Sequence, residues 1–559
     1  MSIREILESY DKITIDQEIV DGIFIFSLFG KQYLYIAPLE DNPSAMAVIF
    51  LYNDDGSDIP HIMLKEETFP GVDCIPQGKY RPVCLYEQES IVGAIMPYDA
   101  KVRDAIERLI ELLSMNEIEK EREFQKEFMF YWNGNSDSHN THNVYLDQND
   151  SFSEFDVYYG NKSVRLVKRG IQLSDIDDRD KKGRIWTHHV ENNAYYIPIT
   201  DKRGILPPYR GHNWTTQTIK DIVYSEQIEH IDQHTFQVLK NTFPNTQNII
   251  IVFGMELEKI HISFAVKIKC KNIRNHSLLE KIVDDTIDIE QLFTIRKDYY
   301  YLCEQIGNDC GLLGKNVLLI GGGSLGSYIA FELVKNGASN LKIYDGDNLE
   351  DVNVLRWAYG GIGKGSNKAI ALTTMLKSIH PEINIVGINK NINQDSLLIE
   401  LSFADMIVIT VGSSNEQLNI NRILVEAGCS IPVIYIWLEE GGINSHILFA
   451  DYRHAGCFEC LYTDIDGNLV NNRARKNTLS ISETSIIRNG CGGTRASYGT
   501  AVLLRTTSVL LDTIHKFYDG QITQNVLIDI SPNCVKISDT PFPMRECNCC
   551  GNKKDQSMY

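Results

Sequence analysis

The spacing of hydrophobic and polar positions changes along the chain, and each change predicts a different kind of element. Before residue 97, the segments 22–38 and 45–52 are rich in Ile, Phe, Tyr and Val and are bounded by polar turns, which predicts strands. Between residues 99 and 130, apolar side chains recur at helical spacing, which predicts a helix. Residues 133–149 are rich in Asn, Asp, Ser and His, a composition typical of a linker or exposed loop.

From residue 291 onward, apolar strands alternate with helices. Strands are predicted at 315–320, 341–344 and 406–411, with helices at 324–336 and 367–380. This alternation predicts an α/β fold with a doubly wound parallel sheet. The stretch before it carries no motif, so we expect a connecting domain of unknown role there. The predicted domains cover residues 1–150, 151–290 and 291–559.

Charge and composition narrow the classes of function. The formal net charge of −20 argues against non-specific nucleic-acid binding, which needs a basic surface. The first residues do not resemble a signal peptide, and no apolar run approaches the length of a membrane span. We therefore expect a cytoplasmic protein with no nucleic-acid or membrane partner. In such a chain, thirteen partly clustered cysteines favour metal binding or thiol chemistry over disulfides.

A glycine-rich motif follows the first strand of the predicted parallel sheet. Gly321, Gly323 and Gly326 fit GxGxxG and open a helix, the context in which backbone N–H groups and the helix dipole bind phosphate. Asp345 ends the next strand, where a carboxylate can accept both ribose hydroxyls. Taken alone, this pattern predicts a nucleotide or dinucleotide site.

The residues after the second strand resemble the ATP site of the ThiF/MoeB and ubiquitin-activating superfamily. Asp345, Asp347, Asn353, Arg356 and Lys368 follow the order DxD, NxxR, GxxK of that family. The resemblance implies a Rossmann-like adenylation domain that uses ATP, with Asp345 at the ribose. Asn353, Arg356 and Lys368 would then surround the phosphates. Attack of a carboxylate on the α-phosphate develops negative charge, which Arg and Lys stabilise.

Two further expectations follow from this resemblance. Family members use an arginine upstream of the glycine loop, supplied by the partner subunit of a dimer, and Arg296 is the matching residue. We therefore expect a homodimer. The family also uses an aspartate after the strand at 406–411 to bind Mg²⁺, and this sequence has none there. Asn415 and Glu416 are the candidates to replace it.

Two CxxC pairs predict a structural zinc site. Cys457 and Cys460 form the first pair, and Cys547 and Cys550 the second. Four thiolates complete the tetrahedral coordination that Zn²⁺ prefers, and the ThiF/MoeB family has the same arrangement. Cys549 lies inside the second pair, so it stays an alternative to Cys547.

Two other cysteines are candidates for thioester chemistry. Cys491 lies in a glycine-rich loop before a long predicted helix, whose dipole would lower the pKa of its thiol. Activating enzymes of the superfamily carry their thioester cysteine in this segment. Cys84 follows strands and a Pro/Gly-rich segment and precedes helices, an order that resembles an α+β ubiquitin-conjugating domain. No His-Pro-Asn precedes it, so the resemblance is to the diverged prokaryotic form, and Cys74 stays an alternative.

Over its full length the chain resembles bacterial fusions of conjugating and activating domains found in CBASS-type and related antiphage operons. The resemblance implies adenylation of the C-terminus of a ubiquitin-like or other protein. A thioester on Cys491, transfer to Cys84 and conjugation to a target amine would follow. Two other interpretations stay open. The chain could activate a sulfur-carrier protein and carry a non-catalytic N-terminal module, or it could be a scaffold with a decayed ATP site, as the missing aspartate would suggest.

Overall fold

The chain forms two units. The first consists of Met1–Gly170 and Trp186–Lys297, and the second of Ile171–Ile185 and Asp298–Tyr559. The computed structural model describes residues 2–38, 42, 44–53, 59, 61–62, 75–86, 93–136, 138–147, 151–171, 193–208, 214–225, 227–271, 275–307, 311–439, 441–454, 456–464, 466–476, 498–537 and 547–551. Three short strands at 187–189, 485–487 and 494–496 are described in their backbone only.

An antiparallel sheet with two helices packed on it begins the first unit. Its strands pair in chain order, and alternate side chains fill a core on each face. The strands predicted within 22–38 and 45–52 are thereby confirmed. The elements are α1 (Ile3–Glu8), β1 (Ile13–Val20), β2 (Ile23–Leu28), β3 (Lys31–Ile36), β4 (Val48–Tyr52), β5 (Tyr80–Pro82) and α2 (Tyr98–Ser114).

The single helix predicted over residues 99–130 is wrong, because the structure breaks it into three. After α2, a second helix, α3, spans Glu117–Lys126, and a third, α4, spans Phe128–Gly134. Asn116 caps α3, accepting from the Glu119 N–H while the Glu119 side chain accepts from the Asn116 N–H. This reciprocal capping box starts a new helix at Asn116 even though the apolar spacing continues past it.

A second sheet of the first unit is closed on itself. Its order is β10-β11-β12-β13-β6-β8-β7-β9, and β10 also pairs with β7. Helices α4 to α7 border the core on one of its faces. The elements are β6 (Thr141–Tyr145), β7 (Ser153–Gly160), β8 (Ser163–Lys168), β9 (Thr187–His189), β10 (Ala194–Pro198), α5 (Thr216–Val223), α6 (Gln233–Asn241), β11 (Asn248–Leu257), β12 (Ile260–Lys269), α7 (Leu278–Ile282) and β13 (Asp288–Arg296).

The linker predicted at 133–149 is wrong. Strand β6 lies within it and pairs with β8 and β13, so this sheet runs across the predicted domain boundaries at 150 and 290. His142 and Asn143 are buried, and the Asn143 side chain donates to the Ser163 hydroxyl at 2.7 Å. The prediction failed because this buried strand carries polar side chains, a composition that is typical of loops.

The second unit is a mixed α/β sheet of the predicted doubly wound type. Strands β14 to β18 run parallel in the order β16-β15-β14-β17-β18, and β19, β22 and β23 extend the sheet antiparallel. Its elements are α8 (Tyr299–Gln305), β14 (Asn316–Ile320), α9 (Ser324–Lys335), β15 (Asn340–Tyr344), α10 (Lys368–Lys377), β16 (Asn384–Ile388), α11 (Gln394–Glu400), β17 (Met406–Ile409), α12 (Ser414–Glu426), β18 (Val433–Leu438), β19 (Ser445–Ala450), β20 (Ser485–Ile487), β21 (Thr494–Ala496), α13 (Thr500–Tyr518), β22 (Val526–Ser531) and β23 (Cys534–Ile537).

The strand order reverses between β14 and β17, because the chain moves outward from β14 to β16 and then returns to the other side. In open α/β sheets, ligands bind at the carboxyl ends of strands beside such a reversal. Apolar cores cover both faces of the sheet and hold these strand ends in place. Within the described ranges, none of the helices combines the length and the apolar character that crossing a membrane would require.

Candidate functional site

The glycine motif forms the turn between β14 and α9, beside the reversal of strand order. Gly321 has φ +104°, and a Cβ there would lie 2.8 Å from the Thr410 hydroxyl. A Cβ on Gly326 would lie 1.9 Å from the Gly321 carbonyl oxygen. Gly323 differs, since a Cβ there would meet nothing within 4 Å. The first and last glycines are therefore required by the fold, whereas the middle one faces open space at the N-terminus of α9.

Asp345 is fixed at the end of β15 by the loop around it. Its carboxylate accepts from the Gly322 N–H at 2.7 Å and from the Asp347 N–H at 2.8 Å. Burial raises the pKa of Asp345, although these hydrogen bonds and the charge of Lys368 act in the opposite direction. The carboxylate is thus oriented before any ligand binds.

The predicted cations lie on separate elements but face one cavity. Lys368 begins α10, is almost fully buried, and places its Nζ 2.9 Å from the Asp347 carboxylate. Arg356 ends a 3-10 helix, and its guanidinium lies 5.0 Å from the centre of the Tyr498 ring. Asn353, in the same 3-10 helix, is buried and its side-chain oxygen accepts from the Glu350 N–H.

These residues line a cavity of about 570 Å³ within the second unit. Its walls combine phosphate-binding backbone, carboxylates and cations with aromatic side chains, as a nucleotide site requires. Of the two residues predicted to replace the missing aspartate, Glu416 lines the cavity and Asn415 does not. The lining includes Gly321, Gly323, Asp345, Asp347, Asn353, Arg356, Lys368, Glu416, Trp437, Leu438 and Tyr498.

The structure adds Asn367 to the residues that the sequence pattern points to. Asn367 caps α10, and its side-chain amide donates to the backbone oxygens of Asp345 and Asp347, at 2.8 and 3.0 Å. It therefore joins the carboxylate loop to the helix that carries Lys368. The sequence predicts the helix cap, because Asn directly before a helical segment is a common capping residue. It does not predict the hydrogen bonds from the same side chain to a distant loop.

The four predicted zinc ligands come together in one buried cluster. The sulfurs of Cys457, Cys460, Cys547 and Cys550 all lie within 4.8 Å of one another. Measured pairs are 4.0 Å for Cys457–Cys460, 3.8 Å for Cys457–Cys547 and 3.4 Å for Cys460–Cys550. Four sulfurs about 2.3 Å from one zinc ion would stand about 3.8 Å apart, so the cluster has the size of a tetrahedral site.

Asn421 supports this cluster from α12. Its side-chain amide donates to the sulfurs of Cys457 and Cys549, at 3.5 and 3.4 Å. Its oxygen accepts from the Phe458 N–H and the Tyr452 hydroxyl. Cys549 therefore lies beside the cluster, to which Cys547 and Cys550 contribute the second pair of sulfurs. Hydrogen bonding with Cys457 and burial raise the pKa values of Cys460 and Cys550, so a bound cation is what would keep all four sulfurs ionised.

Of the predicted thioester cysteines and Arg296, those among the described residues do not line the cavity. Cys491 and Cys74 lie outside the described residues. Cys84 follows β5 and is half-buried. Arg296 ends β13 in the first unit, is 4% exposed, and donates to the backbone oxygen of His261 at 2.9 Å. The role predicted for Arg296 in a partner's ATP site stays a prediction, and its burial does not support it.

Residues 311–549 match the ThiF family. The ATP-dependent ubiquitin transferase-like protein Cap2 of Pseudomonas aeruginosa is 23% identical over 402 residues, which cover 69% of this chain and 68% of that protein. Ubiquitin-like modifier-activating enzyme 5 of Dictyostelium discoideum is 26% identical over 162 residues, covering 26% of this chain and 41% of that enzyme. A crystal structure of E. coli MccB with SeMet MccA shares 20% identity at a TM-score of 0.34, covering 44% of this chain and 69% of that one.

The matched range contains the glycine loop, the residues that line the cavity and three of the four clustered cysteines, and Cys550 lies just beyond it. This part of the chain therefore matches the ThiF family and has a doubly wound, Rossmann-like sheet. The family resemblance inferred from the Asp345–Lys368 motif is thereby confirmed for residues 311–549.

Proposed function

We propose that the protein is an ATP-dependent adenylyltransferase that activates the C-terminal carboxylate of a ubiquitin-like or other protein. The observation that supports this most is the single cavity that combines the glycine loop, Asp345 and the cations Arg356 and Lys368. A dehydrogenase would not need these cations at the phosphates. An adenylation reaction needs them, because negative charge develops on the α-phosphate when a carboxylate attacks it.

Each residue has a distinct role in this proposal. The backbone at Gly323 and the N-terminus of α9 bind phosphate, and the Asp345 carboxylate accepts from the ribose hydroxyls. Arg356 and Lys368 stabilise the charge that builds on the α-phosphate, and Asn353 binds beside them. Trp437, Leu438 and Tyr498 line the same cavity and supply surface for the rest of the ligands.

Metal ions complete the proposed chemistry. Mg²⁺ prefers carboxylate oxygens, and Glu416 and Asp347 offer them on the cavity wall. It would neutralise phosphate charge when bound with ATP. Zn²⁺ fits the cluster of Cys457, Cys460, Cys547 and Cys550, where it would be structural, since four protein ligands leave no open position.

The later steps extend the proposal to thioester chemistry. Cys491 would accept the activated acyl group, Cys84 would receive it, and a target amine would be acylated. The helix, antiparallel strands, cysteine and helices of the first unit follow the order of a conjugating domain and support this. The similarity to the ubiquitin transferase-like protein of P. aeruginosa supports it over much of the chain. A role in antiphage defence in the cytoplasm follows from the resemblance to CBASS-type fusions.

A homodimer forms part of the same proposal. Val352, Leu355 and Ile362 lie close together in sequence beside the ATP-site residues and are 54%, 92% and 57% exposed. Large apolar side chains at such exposure are typical of a protein interface. A second copy of the chain is the partner that the family resemblance favours.

The order of the thiol steps is testable with a candidate ubiquitin-like protein encoded beside this gene. With ATP, Cys84→Ala should accumulate a reducible thioester on Cys491 and fail to modify a target. Cys491→Ala should form adenylate and no thioester. If Cys84→Ala conjugates its target at the normal rate, the first unit is a binding module, and sulfur-carrier activation or direct transfer replaces the proposed sequence.

A further inference from the structure

Cys84 lies directly opposite a histidine in the backbone pairing of the first unit. An antiparallel bridge joins Ile62 to Val83, and this register places His61 opposite Cys84. The Cys84 N–H donates to the His61 carbonyl oxygen at 2.8 Å. Opposed residues that share such a bond have Cα atoms about 5.5 Å apart, so the two side chains leave neighbouring backbone positions. In this structure the Cys84 thiol donates to the Tyr86 carbonyl oxygen at 3.8 Å.

The His61 ring is held by a carboxylate from a helix. Its Nε2 lies 2.9 Å from an oxygen of Glu123, on α3. Burial disfavours the charged form of Glu123, but hydrogen bonds from Lys126 and His61 outweigh it and lower its pKa. Since the ionised carboxylate accepts from Nε2–H, the neutral ring carries its lone pair on Nδ1 and can act there as a base.

The backbone at His61 is also unusual. Its φ is +61°, a left-handed conformation that non-glycine residues seldom adopt. Such conformations carry a free-energy penalty and are found preferentially at functional sites. The conformation is maintained here by the hydrogen bond from Cys84 and by the hydrogen bond between the His61 ring and Glu123.

A tyrosine and an arginine also lie beside the pair. Burial, with the charges of Glu127 and Cys84, raises the pKa of Tyr131, so its hydroxyl stays neutral and donates to the Ile62 carbonyl. Arg108 donates to the Leu85 carbonyl next to Cys84, and a cation there favours a thiolate. Among the described residues, the titratable or charged groups that the contacts around the pair connect include His61, Tyr86, Asp104, Arg108, Glu123, Lys126, Glu127 and Tyr131.

We propose that His61, oriented by Glu123, is the base that removes the thiol proton of Cys84. The inference rests on the proposed function in that Cys84 receives an acyl group. The thiol turns from the Tyr86 carbonyl oxygen toward His61 and its proton moves to Nδ1, and the thiolate attacks the carbonyl carbon of the incoming thioester. A bond forms between Cys84 Sγ and that carbon, and the bond to the donor sulfur breaks. The donor sulfur keeps the electron pair and takes up a proton from solvent, while His61 returns its own proton to solvent.

The test measures how fast iodoacetamide alkylates Cys84 in the full chain, by peptide mass mapping from about pH 5 to about pH 10. In the wild type, the alkylation rate of Cys84 should rise with pH at values below the ordinary thiol pKa of about 8.5. His61→Asn should move this rise back toward that value, and each unit of pKa makes alkylation at pH 7 about tenfold slower. Asn is the chosen replacement because it tolerates positive φ.

Variants of α3 distinguish a loss of His61 orientation from a loss of folding. Glu123→Gln should shift the profile in the same direction by less, and Glu123→Asp should restore part of it. Glu117→Gln is the matched control, because Glu117 is exposed on the same helix and pairs only with Lys120 in the ion pairs described. It should keep the wild-type profile. If His61→Asn fails to fold, the two Glu123 variants decide the question.

A wild-type Cys84 that titrates like an ordinary thiol would overturn the inference. So would an unchanged profile in folded His61→Asn, or in folded Glu123→Gln. The assay uses neither ATP nor a carrier protein, so its failure leaves adenylation untouched. Conversely, a lowered profile together with no acyl transfer to Cys84 would support the pair and refute the transfer step of the proposed function.

Discussion

Gly323 and Gly326 lie three residues apart in one loop but have different reasons to be glycine. A Cβ on Gly326 would lie 1.9 Å from a backbone oxygen, whereas a Cβ on Gly323 would meet open space. Gly326→Ala should therefore lower the free energy of unfolding by about 2 kcal/mol, as overpacking does. Gly323→Ala should change it by less than about 0.5 kcal/mol, yet weaken nucleotide binding, because the Cβ occupies the ligand's space.

Thermal unfolding with and without ATP distinguishes the two variants. Gly323→Ala should unfold like the wild type without ATP and gain less stability when ATP is added. If Gly323→Ala gains as much as the wild type, phosphate does not approach this loop, and the assignment of the glycine motif fails.

At the scale of single residues, five of the predicted side chains face one cavity, and they follow one another in a fixed order along the chain. Asp345, Asp347, Asn353, Arg356 and Lys368 all line it. Trp437 and Tyr498 line it too, but each comes from a distant element with no motif of its own. Only the folded sheet shows that they share a wall.

Between elements, the four-cysteine cluster connects the segment after β19 to the end of the described chain. If it holds zinc, the purified protein should contain about one zinc ion per chain. Cys457→Ser should release the ion and lower the unfolding temperature, because metal binding stabilises only the folded site. Cys534→Ser is the control, since Cys534 is exposed on β23 and away from the cluster.

Elemental analysis with calorimetry checks this prediction. A wild-type protein that contains no zinc and unfolds at the same temperature after treatment with a chelator would refute the zinc assignment.

A buried histidine links two carboxylates at the antiparallel end of the sheet of the second unit. His446 on β19 is fully buried, 2.8 Å from Glu439, which follows β18, and 2.8 Å from Asp529 on β22. Burial lowers the pKa of His446, but hydrogen bonds to the two carboxylates outweigh it and raise the pKa above 6.5. Despite burial, hydrogen bonds from His446 and Asn444 lower the pKa of Glu439 to about 2.

The stability of the second unit should therefore depend on pH in both directions. The His446 contribution is complete below its unfolded pKa of 6.5 and is lost as the pH rises through the raised folded value. The Glu439 contribution is complete above its unfolded pKa of 4.5 and is lost as the pH falls toward 2. From these groups, maximal stability is expected between those two unfolded values.

Unfolding by denaturant across this range checks the linkage. His446→Gln should remove the loss on the alkaline side and destabilise the unit by about 3 kcal/mol, because two carboxylates lose their buried partner. His515→Gln is the control, since His515 is half-exposed on α13. A His446→Gln variant that keeps the wild-type alkaline slope would show that His446 does not titrate in the folded state.

Element prediction from the sequence succeeded where periodicity was strong and failed where polar groups find partners inside the fold. The strands of the second unit read as apolar runs because helices cover both faces of their sheet. Strand β6 did not, because His142 and Asn143 are polar and buried. The capping box at Asn116 was readable in the sequence, but the apolar spacing across it predicted one helix.

For the whole molecule, the family of residues 311–549 followed from the sequence because one motif fixes a local geometry. The closed sheet of the first unit could not be predicted from the sequence. Strand β6 pairs in parallel with β13, which lies far along the chain, and β7 pairs with β10. Such long-range pairing leaves no local pattern, so the sequence placed domain boundaries within this sheet.

ATP–pyrophosphate exchange with candidate ubiquitin-like carrier proteins tests most directly whether the cavity of the second unit adenylates a protein carboxylate. Lys368→Ala should lower exchange by about 10²- to 10³-fold, as expected when a group that stabilises developing charge is removed, and nucleotide binding should weaken less. Lys364→Ala is the matched control, since Lys364 is half-exposed, pairs with Asp351 and lies outside the cavity lining. It should exchange at close to the wild-type rate. Near-normal exchange in Lys368→Ala would contradict adenylation in this cavity.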